Sequence, residues 1–225
     1  MKLLHVSDLH ARRSWFRWVA DYAEDYDLIA CTGDFLDAFG AESLGTQVRW
    51  ITAWARALPC AFVCCPGNQD VECAAAPVVS GHWMTALPGA KDFSQSGHLE
   101  RLGHTFVRVD WLGVIPELRR DDIVLSHAGP FGCFTAASKE GGMDNGDLNL
   151  ADALRSSSSS PPWLVLSGHI HNPARWKDRC GGTVTLNPGM NPDVRAKMPN
   201  FVTVDTAAKK AHWFRDGELV DVASL

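Results

Sequence analysis

Asp8, His10, Asp34, Asn68, His127, His169 and His171 each stand just after a short apolar run. Carboxylate, imidazole and amide groups are the donors that bind hard and borderline divalent metals. Two such ions held about 3.5–4 Å apart clamp the attacking and leaving oxygens of an in-line phosphoryl displacement. That chemistry needs one carboxylate to bridge and further donors to complete each shell. Asp8-x-His10 and His169-x-His171 place both members of each pair on one side of an extended segment, because strand side chains alternate with period two. Asp34 follows Gly33 and Asn68 follows Gly67, where glycine lets the backbone turn tightly. A lone His-x-His carries little weight. All the pieces together, in this order, describe a site for more than one divalent ion.

The elements that must position these residues read as strands. Leu3-Leu4-His5-Val6, Leu28-Ile29-Ala30-Cys31, Ala61-Phe62-Val63-Cys64, Ile123-Val124-Leu125 and Trp163-Leu164-Val165-Leu166 are short apolar runs that end in Gly or polar residues. In layered α/β proteins functional groups gather where strands end, because the loops there converge. A helix carrying Trp15, Trp18, Val19 and Tyr22 is predicted after the first strand, with Ser14 as its cap. A second covers Gln47 to Leu58, with Val48, Ile51, Trp54 and Ala55 inward, Arg49 and Arg56 outward, and Pro59 as its stop. This β-α-β-α-β opening implies a parallel sheet with right-handed crossovers. From about Thr105 strands dominate: Thr105–Val109, Thr183–Leu186, Phe201–Val204 and Ala211–Phe214, with one helix near Leu148 to Arg155. Asp216-Gly217 reads as a hairpin turn leading into Glu218-Leu219-Val220.

The 225 residues, 46% apolar and 21% charged, fit a soluble globular chain read as one domain over 1–225. Ser156–Ser160 with Pro161-Pro162 reads as a surface loop and not a linker, because residues needed for one site lie on both sides of it. Lys139 to Gly146 reads as a polar, Gly-rich loop, either a flap over the site or a plain solvent-exposed excursion. A net charge of −5 argues against a nucleic-acid coat protein, which needs a basic footprint. No apolar stretch reaches the roughly 20 residues of a membrane span, and no secretory signal follows Met1-Lys2. Seven cysteines without framework spacing read as reduced thiols, with Cys31, Cys64 and Cys65 in the core. The expected location is therefore cytoplasmic. Nothing in the sequence sets an oligomeric state.

The series Asp8-Leu9-His10, Gly33-Asp34, Gly67-Asn68-Gln69-Asp70, Ser126-His127-Ala128-Gly129 and Gly168-His169-Ile170-His171 resembles the calcineurin-like metallophosphoesterase superfamily. Asn187-Pro188-Gly189 is similar to a further turn of that family. The resemblance implies an α/β fold, a four-layer α/β/β/α sandwich of two mixed sheets. It implies two divalent ions, one held by Asp8, His10, Asp34 and His171, the other by Asp34, Asn68, His127 and His169. A hydroxide between the ions would attack phosphorus. Nitrogen and oxygen donors without thiolate suit manganese first, with iron or zinc as alternatives.

One residue departs from the family pattern. The position after the metal-binding Asn usually holds a His that protonates the leaving group; here it is Gln69. An amide donates a hydrogen bond but transfers no proton at neutral pH. General acid catalysis is worth about 10²–10⁴ in rate, and its loss matters least for good leaving groups. The expected activity is thus that of a phosphodiesterase acting on a small nucleotide-like or other soluble phosphorylated substrate. A nuclease using the same site is one alternative, and a binding or assembly subunit of the same fold is another. The catalytic set is Asp34, Asn68, Gln69 and Asp70, with Asp70 expected to orient a neighbouring histidine. Arg12 and Arg13, beside the first ligand pair, join Asn68 as candidate phosphate contacts. Asn191 and Arg195 are weaker pocket candidates, and Trp15 or Trp176 could stack on a base, although packing is the default for both.

Overall fold

The computed structural model describes residues 1–71, 81–157, 160–193 and 195–225. Strands β1 (Lys2–Val6), β2 (Leu28–Thr32) and β3 (Ala61–Cys65) run parallel, with Leu3 opposite Leu28 and Leu28 opposite Ala61. Apolar runs without polar alternation give strands buried on both faces, and β2 has no exposed residue. The crossovers are helices α1 (Arg13–Tyr22) and α2 (Leu44–Ala57). Helix α1 starts one residue before the expected Ser14 cap. Its N-cap is Arg12, whose side chain caps nothing, so Ser14 lies inside the first turn. Helix α2 starts at Leu44 and not Gln47, because Ser43 accepts the Thr46 N–H at 3.3 Å, a cap that fixes the boundary earlier.

The same sheet is completed by β10 (Phe201–Asp205), antiparallel to β1, then β11 (Lys210–Arg215) and β12 (Glu218–Ser224). Asp216 and Gly217 both take positive φ (52° and 81°), as the expected hairpin turn between β11 and β12 requires. The second sheet has the order β4 (His98–Arg101), β5 (His104–Val109), β6 (Ile123–Ala128), β7 (Leu164–Gly168), β9 (Thr183–Leu186) and β8 (Lys177–Cys180). Its β5, β6, β7 and β9 are parallel and its edges antiparallel. The sequence reading had missed β4 and β8. Both are edge strands rich in charge, HLER and KDRC, with little apolar periodicity to reveal them.

Strand alternation sorts the core into layers. Leu3, Leu28, Ala30 and Val63 face Phe106, Leu125, Leu166 and Leu186 between the sheets. Leu4, Val6, Ile29 and Phe62 face Trp15, Phe16, Ile51 and Ala55 from the helices. On the far side Val107, Val124 and Val165 pack against Leu150 and Leu154 of α4 (Leu148–Ser156). The result is the four-layer α/β/β/α sandwich of two mixed sheets. Fully burying each Leu, Ile or Val contributes about 1.5–3 kcal/mol, so the inner layer carries much of the stability. No described helix is long and apolar enough to cross a membrane.

One buried group in this core titrates. His5 shares the Leu3 face of β1 and meets Thr32 Oγ1 at 2.9 Å. Burial lowers its pKa from 6.5 to about 3, against a smaller upward pull from Asp8. Between those values the unfolded chain binds the extra proton, so stability present above pH 6.5 is lost as pH falls towards 3. From pH 7 to pH 5, a His5→Gln variant should lose about 2 kcal/mol less than the parent chain, read from urea midpoints. Equal losses in the two proteins would refute this.

Candidate metal centre

The ends of β1 and β2 continue side by side beyond the sheet. Asp8 N–H donates to Gly33 O (3.1 Å), His10 N–H to Asp34 O (2.9 Å) and Ala11 N–H to Phe35 O (2.7 Å). This pairing holds Asp8, His10 and Asp34 at φ of 55°, 43° and 51°, and His169 after β7 takes 66°. Non-glycine residues in the left-handed region are uncommon and cost about 1–2 kcal/mol each. Their clustering at four of the seven donors is the pattern of a functional site. Gly33 and Gly67 make the approach possible. A Cβ on Gly33 would lie 2.7 Å from Gly67 Cα, and one on Gly67 would collide with Asp34. His127 sits in a one-residue register slip of β6 against β7, between Leu125 and Ala128. Such a bulge re-aims a strand side chain, here towards the Asp34 loop.

All seven candidate ligands come together. His10 Nε2 and His171 Nε2 are 3.0 Å apart, and Asp8 Oδ1 lies 3.4 Å from His171 Nε2 and 3.9 Å from His10 Nε2. Asn68 Oδ1 lies 3.1 Å from both His127 Nε2 and His169 Nδ1. Asp34 turns one oxygen to each side: Oδ1 is 3.5 Å from His127 Nε2, and Oδ2 is 3.9 Å from His10 Nε2. Two donors at about 2.1 Å from a common ion, at right angles, stand about 3.0 Å apart, so these spacings suit shared ions. Among the described residues, Asp8, His10 and His171 form one group able to hold an ion, and Asp8, Asp34 and His127 another. Asp8 thus reaches into both groups. Its Oδ1 is buried with no hydrogen-bond partner, which a cation would satisfy.

The surroundings prepare the imidazoles to bind metal. His127 Nδ1 is 2.7 Å from Thr32 O, and His10 Nδ1 is 3.4 Å from Leu36 O. Donation to those carbonyls leaves each Nε2 lone pair turned inward. Burial pushes the His127 pKa down, but Asp34 and Asp8 overcome it and raise it to about 9. Burial pushes Asp8 up, yet His171, His127 and His10 hold it well below the usual carboxylate range. The two buried carboxylates thus favour positive charge at the centre.

Asp70 does not orient a histidine as expected. Its carboxylate accepts the N–H groups of Phe35 (3.1 Å), Leu36 (3.1 Å) and Gly67 (2.9 Å). The reason is local. α3 (Asn68–Val71) turns Asp70 back under its own N-terminus, where the Asp34 loop offers unpaired donors. Asp70 thus ties together the loops that carry Asp34 and Asn68. Burial and the charge of Asp34 push its pKa up to about 7, opposed by the Gly67 and Leu36 N–H groups. Gln69 donates its backbone N–H to Asp34 Oδ1 (2.9 Å) and accepts the Ala38 N–H at Oε1 (2.8 Å). Its amide Nε2 has no partner among the described residues.

The two arginines part company. Arg13 is engaged elsewhere, paired with Glu42 at 2.6 Å and stacked over Trp50 at 4.6 Å, because it opens α1 facing α2. Held on the α2 side by those partners, Arg13 is not the phosphate contact that its place in the sequence suggested. Arg12 lies 4.2 Å over Trp15 with a buried Nη1 that has no partner. Trp15 is fully buried and donates to Ala196 O, and Trp176 donates to Asp221, so both pack as the default reading has it. Asn191 braces Met198 O and Asp216, and Arg195 pairs with Asp193 in solvent. The flap is stapled by Ser138 N–H to Met143 O and lies beside the site through Lys139 N–H to Asn172 O, both 2.9 Å.

Trp111 was missed. Its ring lies against His169 (5.1 Å) and His127 (5.6 Å), and its buried Nε1 has no partner. It stands two residues beyond β5, at the strand end where every ligand was sought, and that position was the available signal. Asn187, quoted only as part of a turn, holds the His169 loop: its Nδ2 reaches Gly168 O and Thr135 O at 2.9 Å. The bracing role of Asp70 yields a test. Asp70→Ala would orphan three buried N–H groups, so it should cost about 3 kcal/mol or more and weaken manganese binding roughly tenfold. Asp70→Asn, which still accepts, should recover part of both. Calorimetric titration showing parental affinity in the Ala variant would remove the bracing role.

Comparisons with known proteins bear on the fold and the family. An archaeal phosphodiesterase structure superposes with TM-score 0.54 at 16% identity, over 98% of this chain and all of the other (100%). A Thermus thermophilus protein superposes with TM-score 0.56 at 14% identity, over 99% and 98% of the two chains. Purple acid phosphatase from yellow lupin gives 0.55 at 12%, over 99% of this chain and 53% of that one. These likenesses show the fold. No curated protein sequence matches the chain significantly. The family model for the calcineurin-like phosphoesterase superfamily domain matches residues 1–209, and the chain belongs to that superfamily.

Proposed function

We propose that this chain hydrolyses phosphodiesters at a centre of two divalent ions, held by Asp8, His10, Asp34 and His171 on one side and by Asp34, Asn68, His127 and His169 on the other. The bound ions would acidify a water and offset the charge that develops on phosphoryl oxygens. Asp34 would bridge the two ions, since its two oxygens face different imidazoles. Asn68 Oδ1, between His127 and His169, would be a ligand of the second ion. Gln69 Nε2 donates to a phosphoryl oxygen while its own carbonyl is held by Ala38 N–H. Arg12, two residues after His10 in the chain, is the candidate cation for a second phosphoryl oxygen.

The observation that carries the diester reading is the anchored amide of Gln69. The position beside Asn68 has no transferable proton, and the neighbouring Asp70 is turned onto backbone N–H groups. With no acid at that place, turnover depends on the stability of the leaving oxyanion. Nucleotide, aryl or phosphate leaving groups are stable enough, and a simple alkoxide from a monoester is not.

A screen of the manganese-loaded protein against mono- and diesters with graded leaving groups tests this. Rates should fall steeply as the leaving group becomes more basic, so that aryl diesters are cleaved far faster than alkyl monoesters. Asp34→Asn should reduce turnover to background while the thermal transition is kept. Gln69→His should raise monoester activity relative to diester activity by roughly tenfold or more. Unchanged hydrolysis in the Asp34 variant would sink the site. An unmoved ratio in the Gln69 variant would sink the leaving-group argument.

A further inference from the structure

A groove of about 910 Å³ opens beside His171 and runs between the facing edges of the two sheets, β8 and β12. Lys177 Nζ donates to Ser224 O (2.6 Å) and Trp176 Nε1 to Asp221 (2.8 Å), so those two contacts join its sides. Its size falls in the upper part of the roughly 300–1,000 Å³ range of small-molecule sites, far beyond what one phosphate needs. His171 is the ligand that gives onto it, with 44% of its side chain exposed.

The lining has a definite chemistry. Lys139, Arg175, Lys177 and Arg215 stand against Glu140 and Asp221, a local positive excess on a chain whose net charge is −5. Both carboxylates are engaged, Asp221 by Trp176 Nε1 and Glu140 by Asn172 Nδ2. Arg215 and the Lys139 ammonium have no ion-pair or hydrogen-bond partner among the described residues. Trp176 and Trp213 stack with centroids 5.9 Å apart, and both line the groove. Asn200 also lines it, is only 4% exposed, and its Oδ1 has no hydrogen-bond partner. A buried amide left unpaired costs about 1–3 kcal/mol, which a ligand donor would recover.

We infer that this groove seats the non-leaving arm of the diester, and that the arm is nucleotide-like: a polar body with hydrogen-bond donors for Asn200 and a second anionic group for Lys139 and Arg215. The assignment rests on the phosphodiesterase reading above. It adds that specificity comes from the sheet edges and not from the metal ligands. Among the described residues, neither Arg215 nor Asn200 forms a hydrogen bond or ion pair with a candidate metal ligand, so they act on binding of the arm.

The test holds the leaving group constant. Three p-nitrophenyl diesters are compared on the manganese-loaded protein: bis(p-nitrophenyl) phosphate, thymidine p-nitrophenyl phosphate, and the latter with a second phosphate on the sugar. In the parent chain kcat/KM should rise along that series, mainly through KM. Arg215→Glu should lower kcat/KM about tenfold for the doubly charged ester and leave the bis-aryl ester unchanged. Asn200→Ala, checked for an unshifted thermal transition, should lower it for both nucleotidyl esters. A flat series, or variants that affect all three esters equally or not at all, would overturn the groove assignment while leaving the diesterase intact. Hydrolysis of none of the three would overturn the diesterase reading itself.

Discussion

The structure is organised around buried negative charge that only a cation can balance. Asp8 and Asp34 lie beneath the surface, 0% and 2% exposed, and face imidazole nitrogens at 3.4–4.0 Å. Isolated carboxylates at that depth are costly unless paired or coordinated to metal. Without metal the imidazoles must carry that compensation themselves, as the upward pull of Asp34 and Asp8 on His127 shows, and Asp8 Oδ1 still has no hydrogen bond. The fold therefore concentrates an electrostatic deficit at one place and surrounds it with lone pairs directed inward. Divalent ions bound there would convert that deficit into binding free energy and supply the chemistry.

Everything near the deficit maintains it. The parallel strands deliver their ends to one edge, the sandwich core fixes those ends, and the left-handed residues bend the chain at the last position. Gly33 and Gly67 let two loops approach to a distance that no side chain would permit. Asp70 holds those loops from below with three hydrogen bonds, and Asn187 holds the His169 loop from the side. A group can thus be indispensable to the centre without touching an ion.

Much of this was legible from residues alone. The seven candidate donors that the fold brings together were readable because their types are few and each followed an apolar run, a local signal that needs no tertiary knowledge. The helices with strong apolar periodicity were readable to within a few residues, and the errors fell at their caps. What escaped depends on long-range packing. Strands β4 and β8 are defined by their partners and not by their own pattern. Asp70 was assigned to an imidazole because carboxylates near metal sites often play that part; only the folded path of the Asp34 loop shows the backbone donors. Arg13 was misread for the same reason, since its partners Glu42 and Trp50 belong to the second helix and its approach. Trp111 carried a positional signal that was passed over because tryptophan is not a ligand type.

The central claim is that seven side chains hold two ions with Asp34 between them. Anomalous diffraction from crystals grown with manganese tests it directly. The account predicts two peaks about 3.5–4 Å apart, one among Asp8, His10 and His171, the other among Asn68, His127 and His169, with an Asp34 oxygen in contact with each. A single peak, or two peaks with Asp34 bound to neither or to only one, would contradict it.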